Sequence, residues 1–121
     1  MNTKQKGDIG VALAISYYTR IGAVVSYPLT DNAKYDLVVE INGVLNKVQC
    51  KYTTYKKDSY IVELRTMGGN TSWNKVYGTV EADLLFVGDG DGRTYEFPPD
   101  RFTGKTSITL TDKIHSRFGV A

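Results

Sequence analysis

The dipeptide Asn42-Gly43 is the feature that most constrains the fold, because apolar alternation flanks it on both sides. Asparagine followed by glycine is the strongest short-range signal for a two-residue β-hairpin loop. A loop of that length sets the register of the two strands, and counting outward from it places Asp36 directly opposite Gln49. Because side chains repeat with period two along a strand, Lys51 lies on the same face, two residues beyond Gln49.

The predicted hairpin has one apolar face and one largely polar face. The apolar face is predicted to be core and consists of Leu37, Val39, Ile41, Val44, Val48, Cys50 and Tyr52. The opposite face carries Asp36, Val38, Glu40, Leu45, Lys47, Gln49 and Lys51. An acid, an amide and a lysine gathered at one end indicate a functional site. The alternative is a polar sheet face that carries an ordinary Asp/Lys ion pair.

Length and composition predict one domain that spans residues 1–121 and has one core. The hydrophobic share of 41% and the charged share of 23% argue against disorder. No apolar run approaches the ~20 residues that a membrane span requires. The amino terminus lacks the apolar stretch of a secretory signal, and the single cysteine, Cys50, cannot form an internal disulfide. We therefore expect an intracellular, cytoplasmic protein.

The rest of the chain predicts a helix followed by strands. The helix is expected over residues 8–21, with Asp8 capping its start and Gly22 ending it, and it is apolar almost all round. Strands are expected at residues 23–26, 60–65, 83–87, 93–97 and 107–110, with a turn at 89–92. The glycine-rich, polar stretch from 67 to 73 is expected to be a mobile loop beside the site.

The residue types of the cluster suit phosphodiester hydrolysis. The Asp36 carboxylate is a hard oxygen ligand for Mg²⁺, and the Gln49 amide carbonyl is a weaker one beside it. The Lys51 ammonium is suited to stabilising charge on a scissile phosphate, or to orienting and deprotonating the attacking water. This chemistry requires neither a histidine nor a cysteine.

A net charge of +2 does not by itself indicate a polyanionic partner, so DNA binding has to be argued from clustering. Lysines concentrate between residues 47 and 57, interleaved with tyrosines. The alternative is a strand edge that carries lysines against aggregation. We expect DNA contacts from this region and the following loop, through Lys47, Lys56, Lys57, Arg65, Asn70, Trp73 and Lys75.

The same segments resemble the PD-(D/E)XK nucleases, in particular the small homing endonucleases encoded by group I introns. The resemblance spans roughly residues 4 to 54. It lies in Lys6-Gly7-Asp8-Ile9-Gly10, Pro28-Leu29-Thr30-Asp31-Asn32, Tyr35-Asp36-Leu37-Val38-Val39 and Val48-Gln49-Cys50-Lys51-Tyr52-Thr53. It implies an α/β fold with a restriction-endonuclease-like core, in which helices flank a mixed central sheet.

The resemblance also implies an activity, which is Mg²⁺-dependent cleavage of double-stranded DNA, with Mn²⁺ able to substitute. Asp36 matches the metal-binding acid, Gln49 the Glu/Gln position and Lys51 the catalytic lysine. Cutting two strands implies a homodimer or homotetramer, and the family context implies a prokaryotic or phage-like host.

One position departs from the resembling sequences. They commonly carry a glutamate on the first helix, facing the metal, where this chain has Val11. Asp8 lies three residues earlier on roughly the same side of the helix and is our candidate for a substitute metal ligand.

Three functions are consistent with these observations. The leading hypothesis is a Mg²⁺-dependent homing-type endonuclease. The second is a structure-selective nuclease such as a Holliday-junction resolvase, which shares the core and also works as a dimer. The third, suggested by Val11 and Gln49, is a DNA-binding module whose catalytic site has degenerated.

Overall fold

A computed structural model describes residues 1–56, 59–64 and 81–110 of the chain. Its helices and strands follow the chain in the order α1 Thr3–Arg20, β1 Val24–Ser26, β2 Leu37–Ile41, β3 Val44–Thr53, β4 Tyr55–Lys56, β5 Ser59–Glu63, β6 Leu84–Asp89, β7 Thr94–Phe97, α2 Pro99–Phe102 and β8 Ser107–Leu110. None of the described helices is long and apolar enough to cross a membrane.

Helix α1 begins five residues earlier than the apolar pattern predicts. Asn2 is the N-cap: its side-chain oxygen accepts from the backbone N–H of Gln5 at 2.8 Å, and the Gln5 side chain accepts from the Asn2 N–H at 2.9 Å. This reciprocal capping box satisfies two backbone donors that a helix start otherwise leaves unpaired. The predicted cap at Asp8 is therefore wrong, and Asp8 lies inside the helix. The predicted end is confirmed, since Gly22 follows the helix with φ +87°.

The hairpin has the predicted turn and register. Asn42 and Gly43 both have positive φ, 51° and 80°, as a two-residue type I′ loop requires. Ile41 pairs with Val44 and Leu37 with Val48, which extends to Asp36 opposite Gln49. The prediction that Val44 belongs to the core is wrong: it is 60% exposed, because it lies at the hairpin tip beyond the residues that α1 covers.

The central sheet is mixed, as predicted, with the strand order β1-β2-β3-β6-β7. β3 and β6 run parallel and the other pairs are antiparallel. The strands β4, β5 and β8 form a second, three-stranded sheet. The predicted strands match those observed to within a few residues, and β8 occupies the predicted residues.

The two faces of the central sheet are covered by different layers. α1 presents only one buried stripe, Gly10, Ala14 and Tyr18, so the prediction of an all-round apolar helix is wrong. That stripe packs on the face formed by Leu37, Val39, Val48, Cys50 and Phe86. On the opposite face the second sheet and α2 cover β6 and β7, enclosing Tyr60, Val62, Leu64, Leu85, Val87, Tyr95, Phe97, Phe102 and Leu110.

A buried hydrogen bond attaches α1 to the far edge of the sheet. The hydroxyl of Tyr18, a fully buried residue, donates to Glu96 Oε2 on β7 at 2.6 Å. Burial, reinforced by the Glu96 carboxylate, raises the pKa of Tyr18, so the phenol stays protonated and acts as the donor. This contact and the apolar stripe together hold the helix in place on the sheet.

Two glycines of α1 should respond oppositely to the same substitution. Gly7→Ala is expected to stabilise the protein by about 0.5–1 kcal/mol, because a Cβ there meets open space and alanine favours the helix. Gly10→Ala is expected to destabilise it by about 1–2 kcal/mol, since its Cβ would lie 3.1 Å from the backbone carbon of Lys51. Urea denaturation of both variants measures the difference. Equal stabilisation by the two alanines would contradict the close packing of α1 on β3.

Candidate active site

Asp36 and Gln49 are in direct contact at the open end of the β2–β3 hairpin, away from its turn. The Asp36 N–H donates to the Val48 carbonyl at 2.9 Å, which continues the ladder one residue beyond β2. Asp36 Oδ2 accepts from Gln49 Nε2 at 2.8 Å and from the Cys50 backbone N–H at 2.7 Å. Two donors on one oxygen fix the orientation of the carboxylate. Asp36 Oδ1 and Gln49 Oε1 accept no hydrogen bond within the described parts of the chain.

The three residues that the hairpin register predicts to be neighbours all line one cavity of about 630 Å³. Asp36 lies on its β2 side, and Gln49 and Lys51 lie on its β3 side. Gly10 of α1 packs closely against the Lys51 main chain, because glycine has no side chain to separate the two backbones. The geometry therefore brings an acid, an amide and an amine to one solvent-accessible space.

The first turns of α1 form another wall of the same cavity. Thr3, Gly7 and Val11, which follow one another at helical spacing, line it together with Lys6 and Asp8. Asp8 thus shares the cavity with Asp36, and Val11, the position at which the resemblance implies a glutamate, also lines it.

Three residues outside the predicted site also line the cavity: Lys6, Ile61 and Glu63. Lys6 is not predicted there because the apolar pattern places the helix start at residue 8, whereas α1 begins at Thr3. Ile61 and Glu63 alternate with the buried Tyr60, Val62 and Leu64 along β5, and that period-two pattern was the available signal. Local patterns did not indicate that β5 lies beside β3.

Cys50 is buried on the helix side of β3 and is 7% exposed. Burial, with a smaller effect from the Asp36 carboxylate, raises the pKa of the Cys50 thiol. A thiol that stays protonated is a poor nucleophile. The part of Cys50 that serves the site is its backbone N–H, which orients Asp36.

The residues expected to contact DNA are only partly described. Lys47 is on β3, two residues before Gln49 on the same face, and its Nζ lies 5.9 Å from the ring centroid of Tyr35. Lys56 is described only by its backbone, which pairs with Ser59 in the β4–β5 hairpin. Lys57, Arg65, Asn70, Trp73 and Lys75, and the predicted loop from 67 to 73, lie outside the described residues.

The oxygen donors of the cavity suit Mg²⁺ better than a metal ion that needs all of its ligands from protein side chains. In the described parts of the chain, no group of three or more His, Cys, Asp or Glu side chains is placed to hold a metal ion. Mg²⁺ usually keeps several waters and takes one or two carboxylates plus substrate phosphates. Asp36 Oδ1 and Gln49 Oε1, with Asp8 in the same cavity, fit that requirement.

A helix packed on a mixed five-stranded sheet, with Asp36 next to one hairpin strand and Gln49 and Lys51 two residues apart on the other, places the chain in the restriction-endonuclease-like fold class. The sequence model of the PD-(D/E)XK endonucleases matches residues 1–117. The chain belongs to the PD-(D/E)XK endonuclease family. Its fold is similar to that of a bacterial homing endonuclease, I-Ssp6803I, with a TM-score of 0.76 and 32% identity over 93% of this chain and 82% of that one. No curated protein matches the chain.

Proposed function

We propose that this protein is a Mg²⁺-dependent DNA endonuclease of the homing type. The observation that carries the proposal is the contact between Asp36 and Gln49 in a cavity that Lys51 also lines. Family membership supports nuclease chemistry, and the similarity to a homing endonuclease favours that type over a junction resolvase. The proposed substrate, intracellular DNA, is consistent with the cytoplasmic location expected from the sequence.

In this proposal each residue of the cluster has one task. Asp36 would hold Mg²⁺, while its Oδ2 stays fixed by the Gln49 and Cys50 donors. Gln49 contributes its carbonyl oxygen and Asp8 a carboxylate from α1. Bound Mg²⁺ supplies Lewis-acid polarisation of the phosphate and an acidified water. The Lys51 ammonium stabilises the negative charge that grows on the phosphate oxygens, or orients the attacking water.

Because residue 49 is an amide, it can donate a hydrogen bond that orients the Asp36 carboxylate. A glutamate at this position would place a second negative charge against Asp36 Oδ2 and remove the amide donor. The amide keeps Asp36 fixed before metal binds, at the cost of one charged ligand. Asp8 is the candidate that restores the missing charge from the helix.

A catalytically degenerate DNA-binding module is the second candidate. It is favoured by Val11 in the cavity wall, because valine cannot bind a cation, and by the lack of a group of three metal-binding side chains within the described residues. Both candidates bind DNA, so only cleavage separates them.

Catalysis is tested on supercoiled plasmid into which a library of candidate target sequences has been cloned. With Mg²⁺ or Mn²⁺ we expect linear product, and with EDTA no product. A homodimer or homotetramer should convert supercoiled to linear DNA with little nicked intermediate, and dilution should shift the product toward nicking. No cutting at any metal concentration would reject the endonuclease and leave the binding module, whereas cutting in EDTA would reject the Mg²⁺ dependence.

Val11→Glu is expected to strengthen metal binding about tenfold, equivalent to about 1.4 kcal/mol, because it adds a carboxylate to the cavity wall. The thermal midpoint should rise more on adding Mn²⁺ to the variant than to the wild type. Ile15→Glu adds the same charge to α1 at a residue that is 38% exposed and lies outside the cavity lining, and it is the matched control. An equal Mn²⁺ response from both variants would contradict the placement of Val11 at the metal site.

A further inference from the structure

Lys6 lines the cavity but has no task in the chemistry proposed above. It is half-buried on the first turns of α1, whereas the nearest lysine in the chain, Lys4, is exposed and lies outside the cavity lining. The Lys6 ammonium makes no ion pair within the described parts of the chain. A cationic side chain that enters a cavity without an anionic partner is suited to bind an anion there.

Lys6 lies farther from the hairpin turn than Lys51 does. Gly10 packs against the Lys51 main chain. The chain that leaves α1 enters β1, whose Val24 pairs with Glu40 near the hairpin turn. α1 therefore runs antiparallel to β3, from the open end of the hairpin toward its turn. Because Lys6 is one helical turn before Gly10, and helical side chains tilt toward the amino terminus of their helix, the Lys6 side chain extends beyond Lys51 toward the open end.

Hydroxyl groups continue the cavity wall at the open end of the hairpin. Tyr52 and Thr54 follow Lys51 along the chain, and both line the cavity together with Lys6. Lysine ammonium groups and the hydroxyls of threonine and tyrosine are among the side-chain donors that contact DNA phosphates. The Lys6 end of the cavity therefore offers donors that suit a phosphate, whereas the Asp36 end offers oxygen ligands that suit a metal ion.

Charge also favours a phosphate as the ligand. Asp8 and Asp36 are the proposed metal ligands, so their charge is offset when Mg²⁺ is bound. Among the other charged side chains described in the lining, Lys6 and Lys51 outweigh the one carboxylate, Glu63. The metal-loaded cavity is thus net positive, and it attracts a polyanionic strand.

We propose that Lys6, together with the Tyr52 and Thr54 hydroxyls, forms a subsite for the DNA phosphate next to the one that is cut. The inference rests on the proposed function. Lys51 meets the scissile phosphate, and Lys6 holds the neighbouring phosphate of the same strand at the open end of the cavity. Two successive phosphates held on one wall fix the position of the cleaved bond relative to Asp36. Lys6 is therefore a positioning residue that acts through binding, whereas Lys51 acts in the chemical step.

The first test measures binding to a duplex of random sequence in EDTA, so that nothing is cut, at salt concentrations between about 50 and 200 mM. Lys6→Met removes the ammonium and keeps the aliphatic stem. We expect affinity to fall about fivefold at the lowest salt, and the slope of log affinity against log salt to become shallower by about one. Lys4→Met is the matched control, because it removes the same charge from an exposed position of the same helix, and it should leave both quantities unchanged.

The second test locates the phosphate on a duplex whose cleaved bond has been mapped. Single phosphates near that bond are replaced, one at a time, by uncharged methylphosphonates. Neutralising the neighbouring phosphate should weaken wild-type binding about fivefold and weaken Lys6→Met no further, because both changes remove the same contact.

Single-turnover cleavage separates positioning from chemistry. For Lys6→Met, the protein concentration that gives half of the maximal rate should rise about fivefold, whereas the rate at saturation should stay within about threefold of the wild-type rate. That split is the signature of an interaction made equally in the ground state and in the transition state.

Three results overturn the inference and leave the nuclease proposal intact. Equal salt slopes for Lys6→Met, Lys4→Met and the wild type would make Lys6 a lysine whose stem only covers apolar surface. A Lys6→Met defect that adds in full to every methylphosphonate would mean that Lys6 contacts no phosphate near the cleaved bond. Binding that depends on a terminal phosphate would assign Lys6 to strand ends. By contrast, a wild type that binds duplex without cutting it, or binds none, rejects the proposed function and with it the subsite.

Discussion

Replacing Lys51 by alanine is expected to lower the DNA cleavage rate by about 10²–10³-fold. The lysine lines the cavity that holds Asp36 and Gln49, and its ammonium is the group we propose to meet the charge on the scissile phosphate. Binding should change far less, because one lost cationic contact among several reduces affinity only modestly. Plasmid cleavage under single-turnover conditions gives the rate, and binding to the same DNA in EDTA gives the affinity.

The matched control for this experiment is Lys34→Ala, which removes the same charge from the surface. Lys34 is exposed and makes an ion pair with Glu81 at 3.5 Å, a contact of the kind that contributes little. It should cut DNA at the wild-type rate. Equal losses for Lys34→Ala and Lys51→Ala would mean that overall charge matters rather than the site, and undiminished cleavage by Lys51→Ala would remove the lysine from catalysis.

The largest expected effect on stability comes from Phe86→Ala, at about 3–5 kcal/mol. Phe86 is fully buried on β6, pairs in register with Cys50, and contacts the rings of Tyr17 and Tyr18 at centroid distances of 5.6 and 5.8 Å. Its removal leaves a cavity between α1 and the strand next to the site. Urea denaturation measures the loss.

Leu45→Ala is the control for Phe86→Ala, because Leu45 is 67% exposed on the hairpin and its truncation should cost less than about 0.5 kcal/mol. Phe86→Leu should fall between the two and keeps the comparison measurable if the alanine variant is unfolded. A Phe86→Ala loss as small as that of Leu45→Ala would contradict the packing of α1 on the sheet.

The hairpin could be predicted because its determinants are local. The Asn42-Gly43 turn needs positive φ at both residues, and once it forms, the ladder counts outward without further information. The contact between Asp36 and Gln49 is therefore determined within the fourteen consecutive residues from 36 to 49. The mixed sheet and the family were likewise accessible, because the motif residues lie on that hairpin.

The start of α1 was misplaced because its first turns carry no apolar signal. Those turns are largely exposed, so the capping box of Asn2 and Gln5 is the feature that marks the true beginning. The error had a functional consequence. The late start makes Asp8 a cap rather than a residue inside the helix, and it leaves Lys6 out of the predicted cavity wall.

The sequence by itself determined the hairpin register, because turn chemistry and the period of a strand act over a few residues. That register places Asp36, Gln49 and Lys51 on the same face of the hairpin. Tertiary structure alone decided what encloses them. The parallel pairing of β3 with β6 and the antiparallel pairing of β5 with β8 join segments that are distant along the chain. Those pairings bury Leu85 and Val87 on the sheet face that carries Gln49 and Lys51, and they bring Glu63 to the cavity. Such contacts depend on the closure of long loops and on shared burial, neither of which leaves a local pattern.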